Sequence, residues 1–178
     1  MRGFWDWFRG LLFNDNKEVV PVRSYSESFL QTPNVSSRSI KPEAIVLHHS
    51  SGSYAGGVSW CRNPKSQVSY HVLIARNGDR TVLAKDTQRA WHAGKSFWKG
   101  RSDLNSWSLG VAWEGDTSKD ALGEDAIASA IEYIVPRMRK WGMTIEDVTD
   151  HRTISPGRKQ DIDEKEFKKF LARLGEAL

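Results

Sequence analysis

At 178 residues, 39% hydrophobic and 27% charged, the chain has the length and composition of one globular domain with a full core plus an appendage. A net charge of +4 is compatible with acidic polymers such as nucleic acid, anionic lipid or cell-wall glycopolymer and selects none of them. The lone Cys61 excludes an internal disulfide and a cysteine-based zinc cluster, and no run is long and apolar enough to span a bilayer.

In chain order, residues 1–13 place Phe4, Trp5, Phe8, Leu11 and Leu12 at helical spacing, with Arg2, Asp6 and Arg9 off that stripe. A helix this short is marginal alone in water and needs a surface to pack on. The body of the protein is one such surface; an anionic membrane is the other, because arginines lie beside an aromatic face. Asp6 and Arg9 interrupt the stretch and no small-residue cleavage site follows, so it is not read as a signal peptide, and synthesis in the cytoplasm is expected. From Asn14 to Glu43 the composition is polar, with repeated serines and prolines at 21, 33 and 42, which predicts a linker or loosely ordered arm. The expected division is an N-terminal segment and linker over 1–40 and a folded domain over 41–178.

Beyond that boundary strands and helices interleave. Ala44-Ile45-Val46-Leu47 reads as a buried strand. Val68 to Ile74 reads as a second, and Asn77-Gly78 between it and Thr81-Val82-Leu83 predicts a hairpin whose turn residues both take positive φ. Leu109 to Trp113 is a third apolar run. Ile127, Ala130, Ile131, Ile134, Val135 and Met138 then form one helical face, which Pro136 should kink or split and Gly142 should end. Phe167, Phe170, Leu171 and Leu174 give a C-terminal amphipathic helix. The sum is an α/β single domain, a central mixed β-sheet flanked by helices.

Titratable residues stand where such a fold places chemistry. Neighbours on a strand point to opposite faces, so only one of His48 and His49 can face a given site, and periodicity does not say which. One of them, with His151 and Asp161, could supply the three protein ligands of a catalytic zinc, the fourth position being left for water. Lys159 and Tyr70 would add a cation and a hydroxyl near a developing oxyanion. Taken singly, each histidine is as readily structural.

Five blocks carry more: "AIVLHHSSG", "VSYHVLIARNGD", "RAWHAGKSFWKGR", "SLGVAWEGD" and "DHRTISPGRKQD". Their order and approximate spacing resemble those of the zinc-dependent N-acetylmuramoyl-L-alanine amidases, which include phage lysozyme-amidases, muropeptide-recycling amidases and peptidoglycan recognition proteins. The resemblance runs from about Ile45 to Phe167. It implies His48, His151 and Asp161 as zinc ligands, Lys159 and Tyr70 as catalytic residues, and His92 as a residue of the substrate groove. Trp91, Trp98 and Trp107 lie where the family grips substrate, which makes them candidates for stacking on sugar rings, beside the alternative of packing.

Two departures bear on this. The recycling enzymes resemble this chain less, because they carry a glutamate where Ala112 stands and a smaller residue in place of Tyr70; Glu114 is a fallback acid, with packing as its alternative. After Asp161 the family often has Pro-Gly, whereas Ile162-Asp163 follows here. The implied activity is hydrolysis of the amide between the lactyl group of N-acetylmuramic acid and L-alanine. The implied cofactor is Zn2+ and the implied partner peptidoglycan, for a phage-type lytic enzyme acting on the cell wall as a monomer; the alternatives are a cytoplasmic muropeptide-recycling amidase and a non-catalytic peptidoglycan-binding or regulatory protein on the same fold. A nucleic-acid partner would account for the charge and leave the five blocks unexplained.

Overall fold

The computed structural model describes residues 24–178; the helix expected over residues 1–13 lies outside them. Ten strands and four α-helices follow in chain order: β1 (Glu27–Phe29), β2 (Val35–Ser39), β3 (Ala44–His49), α1 (Tyr54–Arg62), β4 (Val72–Ile74), β5 (Arg80–Val82), β6 (Gln88–Ala90), β7 (Phe97–Trp98), β8 (Arg101–Ser102), β9 (Ser108–Trp113), α2 (Glu124–Trp141), β10 (Val148–Asp150), α3 (His151–Ile154) and α4 (Glu164–Gly175). The main sheet has the order β1-β5-β4-β9-β3-β10, and β2-β6 and β7-β8 form two small pairs beside it.

Strands β9 and β3 are neighbours inside this sheet, between β4 and the edge strand β10. They run parallel in register from Ala44 opposite Ser108 to His49 opposite Trp113, and β10 adds in parallel on the outer side of β3. Parallel strands covered on both faces read as continuous apolar runs, which is why these segments stand out in the sequence. Their side chains alternate. Ile45, Leu47, Leu109 and Val111 pack against Ile127, Ala130 and Ile134 of α2 and Phe170 and Leu174 of α4. Ala44 and Val46 face the other way, onto Ala93, Leu104, Trp107 and Ile154. His48 therefore continues the face of Ala44 and Val46, away from α2 and α4.

Several expectations change. The linker predicted over 14–43 is sheet structure from Glu27 onward: β1 runs parallel along the edge of β5, and β2 pairs antiparallel with β6. Thr32 and Asn34 between them are buried; both donate to the Cys61 carbonyl, and Asn34 Nδ2 donates also to the carbonyls of Asn63 and Val68. The segment is polar because it lies at an edge and is held through hydrogen bonds, so its composition imitates a linker. The strand expected over 68–74 shortens to Val72–Ile74. The hairpin after it closes through residues 75–79, with φ positive at Gly78 (88°) and not at Asn77, because the longer connection needs only one such residue. Helix α2 runs uninterrupted past Pro136, which sits on an exposed face where a carbonyl freed by the missing N–H can reach water. Gly142 ends it at φ 69°, and α4 forms where the stripe predicts. No helix among the described residues is long and apolar enough to cross a membrane.

Candidate metal centre

The centre lies at the C-terminal ends of two adjacent parallel strands. His48 is near the end of β3, and His151 follows directly on β10, whose Asp150 is opposite Leu47. Asp150 also caps α3 by accepting from the Thr153 N–H, which fixes the turn that aims His151 back at β3. Asp161 arrives on the loop between α3 and α4, its carbonyl held at 2.7 Å by the Arg152 N–H. The residues that replace Pro-Gly anchor this loop from the other side: Ile162 is fully buried in the core under α2, and Asp163 caps α4 through the Lys165 N–H.

Three atoms converge there. His48 Nδ1 lies 3.0 Å from His151 Nδ1 and 3.3 Å from Asp161 Oδ2, and His151 Nδ1 lies 3.1 Å from the same oxygen. All three residues are buried. His151 Nε2 sits 3.1 Å from the Ala93 carbonyl, which can only accept, so the ring proton is on Nε2 and Nδ1 points inward with its lone pair. Burial, joined by the neighbouring His151, lowers the His48 pKa from 6.5 to about 4, so the His48 ring is neutral at pH 7. Burial opposes the charge on Asp161, but hydrogen bonding and charge from His151 and His48 outweigh it and hold the carboxyl well below the usual carboxylate range. Two imidazole lone pairs and one carboxylate aimed at a common point repel one another unless a cation lies between them. Their separations are close to the ~3.3 Å edge of a tetrahedron with bonds of about 2.0–2.1 Å, so the donor set fits zinc in type, number and spread.

The other expected residues fall in three places. Tyr70 packs its ring 5.3 Å from that of His48, and burial, then the Cys61 and Asp161 charges, push its phenol pKa up, so it stays a neutral donor. Lys159 is half-buried on the Asp161 loop, and its charge is felt at both His48 and His49. His49 points to the opposite face, where its Nδ1 accepts from the Thr117 N–H at 3.0 Å. Ala112 is the register partner of His48 and fully buried, while Glu114 accepts from the N–H groups of Tyr54 and Arg76 and ties loops together.

His92 differs from the expectation of a groove residue. It is 5% exposed and lies behind the centre, its Nδ1 3.0 Å from His48 Nε2. Trp107 is a packing residue, 5% exposed, bonded to the Ser102 carbonyl and stacked on Trp98 at 6.2 Å. Trp91 is half-buried and spends its indole N–H on Ser36, while Trp98 is half-buried, with Trp107 stacked on it and the Lys99 ammonium 4.6 Å from its ring centre. Arg158 is no free surface cation: one guanidinium nitrogen donates to Ala93 O, Lys95 O and Ser155 Oγ. Asn105, which no motif singles out, holds the backbone of residues 92 and 93 through its side-chain oxygen. Such residues work through backbone groups, and no local pattern marks them.

Residues 38–164 match the family model described as N-acetylmuramoyl-L-alanine amidase. The chain is 35% identical over 83 residues to N-acetylmuramoyl-L-alanine amidase A of Achromobacter lyticus, covering 46% of this chain and 42% of that protein. It is 33% identical over 100 residues to the 1,6-anhydro-N-acetylmuramyl-L-alanine amidase AmpD of Haemophilus influenzae, covering 53% of this chain and 52% of that one. The chain thus spans about half the length of these curated relatives. A solved structure of a mutant endolysin from Bacillus subtilis shares the fold, with a TM-score of 0.70 at 19% identity over 85% of this chain and all (100%) of that one. With the family model spanning well over half of its length, the chain belongs to the N-acetylmuramoyl-L-alanine amidase family.

Proposed function

We propose that the chain is a zinc-dependent peptidoglycan amidase that hydrolyses the amide between the lactyl group of N-acetylmuramic acid and L-alanine. One observation carries this reading: three buried donors, His48 Nδ1, His151 Nδ1 and Asp161 Oδ2, converge within 3.0–3.3 Å of one another. Zinc held by them would polarise the scissile carbonyl and bring the pKa of a water near ~7. Asp161, ionised at neutral pH, offsets part of the metal charge. Tyr70, kept protonated by burial, can donate to the oxyanion that forms on the lactyl carbonyl, and Lys159 adds a positive charge that is felt at His48. Trp91 and Trp98, both half-buried, are the candidates for a sugar-ring contact; Trp107 is buried and packs on Trp98.

A lytic, phage-type role suits these residues better than muropeptide recycling. The recycling enzymes resemble this chain less at two positions, and both lie beside His48: Ala112 is its register partner and Tyr70 packs on its ring. In this role the enzyme acts as a monomer on the cell wall, with residues 1–13 open to either of two surfaces, its own domain or an anionic envelope.

The test is incubation of purified peptidoglycan with the protein, with and without a chelator, counting new L-alanine amino termini. Release that stops on metal removal and returns with zinc is expected. No release with zinc present would sink the amidase assignment, and release that survives complete metal removal would sink the zinc.

A further inference from the structure

We propose that the His92–Ala93 step, held by Asn105, is a positioning device that sets both histidines of the centre with Nδ1 inward before any ion arrives. The proposal rests on the reading of the centre as a metal site and goes beyond it, to residues that touch neither metal nor substrate.

Each histidine of the centre turns its outer nitrogen to this one step. His151 Nε2 donates to the Ala93 carbonyl at 3.1 Å, and the same oxygen takes a second bond from Arg158 at 2.8 Å. His48 Nε2 faces His92 Nδ1 at 3.0 Å. Beyond it His92 Nε2 lies 3.5 Å from Ser108 Oγ, and that hydroxyl donates to the Leu104 carbonyl at 2.6 Å. The direction of every proton in this row follows from its last member. A carbonyl only accepts, so the Ser108 hydrogen is committed to Leu104 and its oxygen presents lone pairs to His92. His92 then carries its proton on Nε2 and accepts at Nδ1, and His48 must donate from Nε2. That leaves His48 Nδ1 bare and facing the metal, the same tautomer that Ala93 imposes on His151.

The step itself is clamped. The N–H groups of His92 and Ala93 both donate to Asn105 Oδ1, at 3.0 and 2.7 Å. His92, Ala93, Asn105 and Ser108 are all buried, so these bonds have no competing water. The seat for the His92 ring exists because residue 110 is glycine: a Cβ there would stand 2.5 Å from His92 Cγ. A residue that only closed a turn would need none of these links to the two ligands.

Two pairs of substitutions separate positioning from packing, read as zinc affinity by competition with a chromophoric chelator. His92→Leu removes the acceptor for His48, and Asn105→Ala removes the clamp; each is expected to weaken zinc binding about 10–100-fold. His92→Asn keeps an acceptor near the Nδ1 position and Asn105→Asp keeps an oxygen for both N–H groups; each is expected to restore most of the loss. Zinc affinity unchanged in His92→Leu, or equal losses within each pair, would overturn the proposal. A variant that unfolds is replaced by a measurement on the wild type: nitrogen-15 NMR of the zinc-loaded protein should show His48 and His151 metallated at Nδ1 and protonated at Nε2, and the reverse at either ring overturns it. Wild-type protein that binds no zinc would instead remove the metal site and the positioning role with it. Tight wild-type binding without the variant pattern removes only the latter.

Discussion

Lys159 and His71 show how differently two titratable side chains, one half-buried and one buried, act in this molecule. Lys159 reaches the centre electrostatically without lying among its three donors, so under the proposed function its removal should leave zinc binding intact and slow hydrolysis. Lys159→Ala is expected to lower kcat by ~10²–10³-fold with zinc affinity unchanged; parallel loss of zinc would assign the lysine to the metal site instead. His71 serves the fold. Its Nδ1 accepts from the Gly110 N–H and its Nε2 donates to the Gln88 carbonyl, an arrangement only the neutral ring satisfies. Burial lowers its pKa from 6.5 to about 4. Between those values the unfolded chain binds more protons than the folded one, so stability rises with pH through this window and falls on acidification, by about 3 kcal/mol for this residue. His71→Asn keeps an acceptor for Gly110 and cannot take the proton. Its denaturation midpoint should therefore change less between pH 7 and pH 4.5 than that of the wild type, and identical changes would refute the assignment. Much at this scale was legible in advance, but unevenly. The block pattern singles out His48, His151 and His92 alike as candidates, and it does not say which way the His92 ring faces. Asn105 and Arg158 act on carbonyls and N–H groups that every residue carries, so nothing in the sequence distinguishes them.

At the scale of elements, the central strands and the two long helices could be read from periodicity because both kinds of burial leave a pattern: continuous apolar runs in β3 and β9, a 3.6-residue stripe in α2 and α4. Strands β1 and β2 leave none. They are three and five residues long, mostly exposed, and fixed by the edge of β5 and by β6. Their weight in the fold can be measured by comparing a chain beginning at Ser24 with one beginning at Lys41. The shorter chain loses Thr32 and Asn34 and leaves the carbonyls of Cys61, Asn63 and Val68 without those donors. It is expected to be less stable by at least ~3 kcal/mol, read as a lower denaturation midpoint. Equal midpoints would return residues 24–40 to the status of a linker.

On the scale of the whole molecule, the sheet divides the labour. One face, covered by α2 and α4, carries the larger core, and the other carries two smaller clusters, around Leu104 and Trp107 and around Leu73 and Leu83, with the three donors at the ends of β3 and β10 and on the loop beyond. Ligands gather outside the carboxyl ends of parallel strands in many α/β folds, because there the loops can vary without disturbing the core. This division explains why candidate site residues can be listed from motifs while the scaffolding behind them cannot. The first is a matter of residue type, the second of which loop lands on which carbonyl.

Cys61 gives the last consequence. It is the one cysteine in the chain, 1% exposed, and burial pushes its thiol up to about 12, so in the folded protein it is neither reachable nor ionised. Its own carbonyl is the acceptor to which Thr32 and Asn34 are tied. The thiol is thereby a built-in clock for the opening of the N-terminal edge. A maleimide or disulfide reagent should label the native protein at the rate at which that edge or the whole fold opens, independent of reagent concentration once reagent is in excess. Rapid labelling that scales with reagent would show a thiol exposed in the resting protein. Slow labelling, faster in a Thr32→Val variant, would time a motion that no assay of the metal centre can see.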